Sequence, residues 1–188
     1  MTRYRPATPG IIEQTAILYH VELPEVRGRA GEQADVVITS HPWLVVLNQE
    51  CDLQFDRLAR TNTPLRVGGA PVKKDKILHS VLLCPGFPEE HVLAGTYIKD
   101  ATAWSKGESK ILLRNQVERY HSLPAEDPLP EALVLDFKLI VATSPDYLQT
   151  WVEQNPDCAV AVLNPPFRDR LTQRFVNYFA RIAEPEGD

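Results

Sequence analysis

The sequence predicts an α+β domain built on a strongly bent antiparallel sheet, and three observations carry that expectation. Short apolar runs rich in Val, Ile and Leu recur along the chain, each bounded by turn formers. The 16 prolines are spread throughout and punctuate short elements. Near its end the chain carries an amphipathic helix: Phe167, Leu171, Phe175, Tyr178, Phe179 and Ile182 follow helical spacing, while Arg168, Asp169, Arg170, Gln173, Arg174 and Asn177 take the other side. Its aromatic face is expected to pack on the sheet. The 188 residues suffice for one proper core, so residues 1–188 read as a single domain.

The elements follow in order. Residues 11–23 alternate loosely and read as a first strand stopped by Pro24. Residues 25–35 contain Gly28, Gly31 and several charges and read as a loop. Residues 36–39 form a short strand, and His41-Pro42 a turn into the apolar strand 43–47. Residues 52–60 suit a short helix that Asp52 or Asp56 would cap. Residues 61–76 are polar, with Gly68-Gly69, and read as a surface loop. Residues 77–84 form the next buried strand, closed by Pro85-Gly86, and residues 89–93 a helical turn. Residues 104–117 are ambiguous between helix and hairpin, and residues 119–123 make a short strand before Pro124. Residues 133–143 are expected to be one long strand, with Leu133, Leu135, Phe137, Leu139 and Val141 on one face. Ser144 as N-cap and Pro145 at the first helical position start a helix to about residue 154, and residues 158–163 supply a last strand.

Composition narrows the function classes. With 44% hydrophobic and 24% charged residues the chain is an ordinary globular protein. The formal charge of -5 disfavours a non-specific nucleic-acid binder, although a local basic face remains compatible with it. No apolar stretch approaches the roughly 18–20 residues that span a bilayer. Arg3 and Arg5 are not followed by an apolar run, so no secretory signal is read and a cytoplasmic location is expected. Cys51, Cys84 and Cys158 are widely spaced and odd in number, which argues against disulfides and a zinc ribbon. The five histidines, His20, His41, His79, His91 and His121, show no metal-ligand spacing, and no metal or cofactor is expected. Nucleotide-loop and hydrolase motifs of the GxGxxG, Walker A, HExxH and GxSxG kinds are missing from the sequence.

The densest chemistry lies at the end of strand 43–47, in Asn48, Gln49, Glu50, Cys51 and Asp52. Polar groups so close to a core strand must be hydrogen-bonded or cost about 1–3 kcal/mol each. They form either a structural network or the floor of a site. A nucleophilic Cys51 would need a neighbouring cation, and Glu50 and Asp52 work against it. Lys73, Lys74 and Lys76 are the best phosphate-binding candidates on composition. The terminal-helix residues Arg170, Arg174 and Phe175 are candidates for docking an acidic partner.

Several landmarks resemble the PemK/MazF-like group of bacterial SH3-type barrels: Gly10-Ile11-Ile12 leading to Val21-Glu22-Leu23, a Gly- and charge-rich loop, and Leu44-Val45-Val46-Leu47-Asn48 before strand 77–84. This covers about the first half of the chain. Gln49-Glu50-Cys51-Asp52-Leu53 and Arg170-Leu171-Thr172-Gln173-Arg174-Phe175 are similar to a signature of uncharacterised bacterial proteins with a barrel-like start. The resemblance implies a bent SH3-like or MazF-like barrel with added strands and the C-terminal helix. Where MazF-type ribonucleases carry an Arg at the start of the second core strand, this chain has His41-Pro42-Trp43; where they carry Ser or Thr, it has Cys84-Pro85. The implied function is therefore a non-catalytic protein-binding module of a toxin–antitoxin or defence-type system. The alternative is a divergent metal-independent endoribonuclease, in which His41, Glu50 and Asp52 would supply acid–base chemistry and Lys73, Lys74 and Lys76 would hold the phosphates; Gln49 and Cys51 are further candidate binding residues.

Overall fold

The structure, a computed structural model, describes residues 2–28, 31, 33–60, 66–67, 70–71 and 77–180. It is α+β. An eight-stranded antiparallel sheet has the order β1-β10-β2-β3-β6-β8-β7, with β9 beside β6. Its strands are β1 Tyr4–Pro6, β2 Ala16–Arg27, β3 Asp35–Val46, β6 Val81–Pro88, β7 Tyr120–Leu123, β8 Leu133–Asp136, β9 Val141–Thr143 and β10 Ala159–Leu163. A separate small hairpin pairs β4 Arg66–Val67 with β5 Ala70–Pro71. The helices are α1 Glu50–Arg60, α2 Glu89–Leu93, α3 Lys106–Leu113, α4 Pro145–Gln154 and α5 Phe167–Ala180.

Residues 16–18, 43–46, 81–84 and 160–163 read as continuous apolar runs because both faces of the sheet are covered there. Alternate residues divide between two cores. Ile17, Trp43, Val45, Cys84, Leu135 and Leu163 join Phe137 and Leu171 on the face under α5. Leu18, Leu44, Val46, Leu83 and Val162 join Leu53, Leu148 and Val152 on the face under α1 and α4. Phe175 packs edge-on against Phe137 with centroids 5.9 Å apart, so α5 meets the sheet through Leu171 and Phe175 as its spacing predicts, whereas Phe179 is exposed and Ile182 lies outside the described residues. Val92, Leu112, Tyr120 and Val134 make a third, smaller core beneath α2 and α3.

Several boundaries differ from the sequence reading. The first strand begins at Ala16 and runs through Pro24 to Arg27. His41-Pro42 is not a turn but lies within β3, which joins the two predicted strands into one. Both prolines are tolerated for the same reason. β10 pairs with β2 only as far as Leu18, and β6 with β3 only from Trp43. Beyond those points β2 and β3 form a two-stranded ribbon with open outer edges, where a missing N–H breaks no ladder. Nor does Pro85-Gly86 close β6, which continues to Pro88. The predicted strand 133–143 is broken at Phe137–Leu139 by a short 3-10 turn, because the Asp136 side chain accepts the Lys138 N–H. Its two halves both pair with β6, at opposite ends. The ambiguous segment 104–117 resolves as a helix with a capping box between Ser105 and Glu108. Strand β1 lies within an N-terminal stretch to which the sequence reading assigned no element.

The expected barrel is corrected to an open sheet, since β1 and β7 end the strand order and do not pair. The sheet nevertheless bends until these ends meet through side chains. The Tyr4 hydroxyl donates to the Pro124 carbonyl, just past β7, at 2.9 Å. The Arg3 amide donates to Glu126 Oε1 at 2.8 Å. A seam therefore runs between the two sheet edges, capped by the start of α5 and the end of α3.

Candidate functional site

The polar cluster after β3 holds the fold. Asn48 Oδ1 accepts the Leu82 N–H at 2.7 Å, tying the end of β3 to β6. Glu50 Oε2 accepts the Gln14 N–H at 2.8 Å, and Gln14 Oε1 accepts the Glu50 N–H at 3.2 Å. This reciprocal pair fixes the start of α1, which opens at Glu50 rather than Asp52. Asp56 does not cap that helix. It is buried, accepts the Leu78 N–H at 2.8 Å and pairs with Arg60, which also reaches Asp146. Cys51 is exposed, with Sγ 3.7 Å from Gln49 Oε1 and 3.8 Å from Asp52 Oδ1. Gln49, Glu50 and Cys51 line an open depression with Gln14, Arg168 and Thr172.

The structure does not bring His41 to these carboxylates. His41 lies on the ribbon with Nε2 3.5 Å from Glu25 Oε1, and burial holds its pKa below the usual value against the opposing pull of Glu25. Between it and α1 lies the rest of β3, about 17 Å at the strand rise per residue. Glu50 and Asp52 share the first turn of α1. Lys73, Lys74 and Lys76 lie outside the described residues.

The seam holds a different constellation. A cavity of about 150 Å³ is lined by Arg3, Leu113, Arg114, Asn115, His121, Ser122, Leu123, Pro124, Leu163, Phe167 and Arg170. Three guanidinium-bearing residues converge on it from three elements: Arg3 before β1, Arg114 at the C-cap of α3, and Arg170 on α5. Arg3 is held over the Phe167 ring, 4.8 Å from its centroid. None of the three forms a salt bridge among the described residues. The acid beside the seam, Glu126, receives the Arg3 main-chain N–H.

His121 sits in the wall of this cavity and is only 6% exposed. Its Nδ1 is shielded from water and has no hydrogen-bond partner among the described residues. Burial, followed by the charges of Arg174 and Arg3, pushes its pKa down to about 3, so the imidazole is neutral at pH 7. Arg174 stands behind the wall. Its Nη1 donates to the Asn115 carbonyl, and its Nη2 to the carbonyls of Val117 and Tyr120 at 2.7 and 2.8 Å. Asn115 pairs with both main-chain groups of Ser122, donating at 3.2 Å and accepting at 2.6 Å. Asn115 and Arg174 thus cover the free edge of β7 and fix the strand that carries His121. Of the terminal-helix candidates, Arg170 lines the cavity, Arg174 buttresses it and Phe175 belongs to the core.

Sequence reasoning reached Arg170 but not Arg3, Arg114 or His121 as one site. The available signal was the polar pair His121-Ser122 inside an otherwise apolar strand, all four of whose residues are buried. Among the described residues, no helix is long and apolar enough to cross a membrane. No family model matches the chain, and no curated protein or solved structure is similar to it.

Proposed function

We propose that the protein is a non-catalytic binding module that docks a protein partner by receiving an anionic group in the seam cavity. The observation that carries this reading is the convergence of Arg3, Arg114 and Arg170 on a cavity walled by the buried, neutral His121. In a chain whose formal charge is -5, three cations that line one small volume and form no salt bridge among the described residues are a local inversion of sign. Guanidinium forks suit oxyanions, which they hold bidentately. The partner is taken to be a protein because the overall acidity works against a polyanion such as RNA. We extend to this module the MazF-like bent sheet and the toxin–antitoxin or defence setting that the sequence resemblance implies. The ribonuclease alternative lacks an assembled acid–base pair to support it, since His41 stands apart from Glu50 and Asp52.

The test is thermal unfolding in sulfate against chloride at matched ionic strength. Sulfate stabilises most proteins by exclusion from their surface, so the quantity read is the difference between the wild type and an Arg114→Gln/Arg170→Gln double variant. An oxyanion at ten times its Kd adds about 1.4 kcal/mol, which is about 3–6 °C in Tm for a domain of this size. That surplus should belong to the wild type alone. An equal sulfate response in both proteins would overturn the reading.

A further inference from the structure

Resting on the anion-binding reading above, we propose that the group recognised in the seam is a phosphate monoester, bound by Arg3, Arg114 and Arg170 through its three terminal oxygens and by His121 from the cavity wall. The size of the cavity comes first. A volume of about 150 Å³ has room for one compact tetrahedral group.

The origin of the cations comes second. Arg3 comes from the N-terminal segment, Arg114 from the end of α3 and Arg170 from α5, so the cations that line the volume belong to three separate elements. A planar carboxylate offers two oxygens in one plane and leaves one fork without work. A phosphodiester within a nucleic acid offers two non-bridging oxygens and needs an exit at both ends. A monoester offers three equivalent acceptor oxygens and a single tether pointing out of the mouth.

Charge comes third. Three cations around a monoanion leave two in excess, whereas a phosphate carries about -1.5 to -2 at pH 7. The neutral imidazole adds a donor without adding charge. The tether is either a phosphorylated side chain of the partner or a small phosphorylated metabolite, and both present the same terminal group.

The experiment is calorimetric titration of the folded protein with methyl phosphate, dimethyl phosphate and acetate at fixed ionic strength. Methyl phosphate should bind about tenfold or more tightly than either other probe, as the loss of one charge-assisted hydrogen bond implies. Arg114→Gln and Arg170→Gln should each weaken it by a similar factor. Arg168→Gln, on α5 outside the cavity and paired with Asp169, should leave it unchanged. Acetate or dimethyl phosphate binding as tightly as methyl phosphate would overturn the monoester assignment while leaving an anion site in place. Failure of all three probes in a protein shown to be folded would remove the anion-binding reading as well. A phosphoserine tripeptide binding more tightly than methyl phosphate assigns the tether to a modified side chain, and weaker binding assigns it to a metabolite.

Discussion

Acid should loosen this protein through His121, and the size of the effect follows from its surroundings. The folded-state pKa is pushed down to about 3, against about 6.5 in the unfolded chain. Between those values the unfolded state binds a proton that the folded state refuses, so stability rises with pH. The contribution is complete above about pH 6.5 and is lost as pH falls toward 3. For one such group the loss between pH 8 and pH 5 is about 2 kcal/mol. Burial is the main cause, and two cations add to it, Arg174 behind the strand and Arg3 across the seam. The perturbation is His121→Phe, which keeps a ring beside Phe137 but cannot titrate. The assay is urea unfolding at pH 5, 6, 7 and 8 for both proteins. His41, held below its usual pKa by burial, adds a slope of the same sign, but it is common to both and cancels in the difference. The wild type should lose about 2 kcal/mol more than the variant from pH 8 to pH 5. Parallel pH profiles would refute the burial and charge placement on which the site rests.

Three further outcomes follow from the packing. Arg119→Ala should cost about 3–5 kcal/mol in urea unfolding, because it strands the Asp136 carboxylate, which is 0% exposed and otherwise held by a bidentate pair with Arg119 and by the Tyr97 hydroxyl. Gln14→Ala should lower stability by about 1–3 kcal/mol, since the Glu50 N–H at the start of α1 loses its acceptor, Gln14 Oε1, while the main-chain bond from the Gln14 N–H to Glu50 Oε2 survives; an unchanged urea midpoint would contradict that role. Gly86→Ala should cost about 1–3 kcal/mol, because a Cβ there would stand 3.2 Å from Leu135 Cδ2 and 3.3 Å from Trp43 Cβ; an unchanged Tm would show that β6 and β8 give way more easily than their spacing implies.

Local chemistry was legible in the sequence wherever a segment decides its own structure. The Leu171 and Phe175 spacing of α5, the Ser144-Pro145 start of α4 and the apolar run of β10 stand where their residues predict, whereas the strand expected at residues 77–84 lies at Val81–Pro88. What the sequence hid depends on neighbours. Pro24 and Pro42 read as breaks because a proline normally removes a ladder bond, and only the open edges of the β2–β3 ribbon make them harmless. Residues 133–143 alternate like one strand, but Asp136 turns inward to Arg119 and Tyr97 and bends the chain at Phe137. The run Asn48–Asp52 is dense in polar groups, yet its bonds to Gln14 and β6 are structural. The seam cavity was invisible for the opposite reason. Arg3, Arg114, His121 and Arg170 are scattered over most of the chain, and they meet only because the sheet bends until its edges touch.

The most direct test of the account follows the His121 imidazole by NMR while inorganic phosphate is added at constant pH and ionic strength. Phosphate entering the seam should give a saturable shift of the His121 ring resonances, together with the side-chain resonances of Arg3, Arg114 and Arg170, and no saturable shift at His41 or His91. A His121 ring that stays unmoved, or shifts no more than those distant histidines, would contradict the claim that the seam is an anion site.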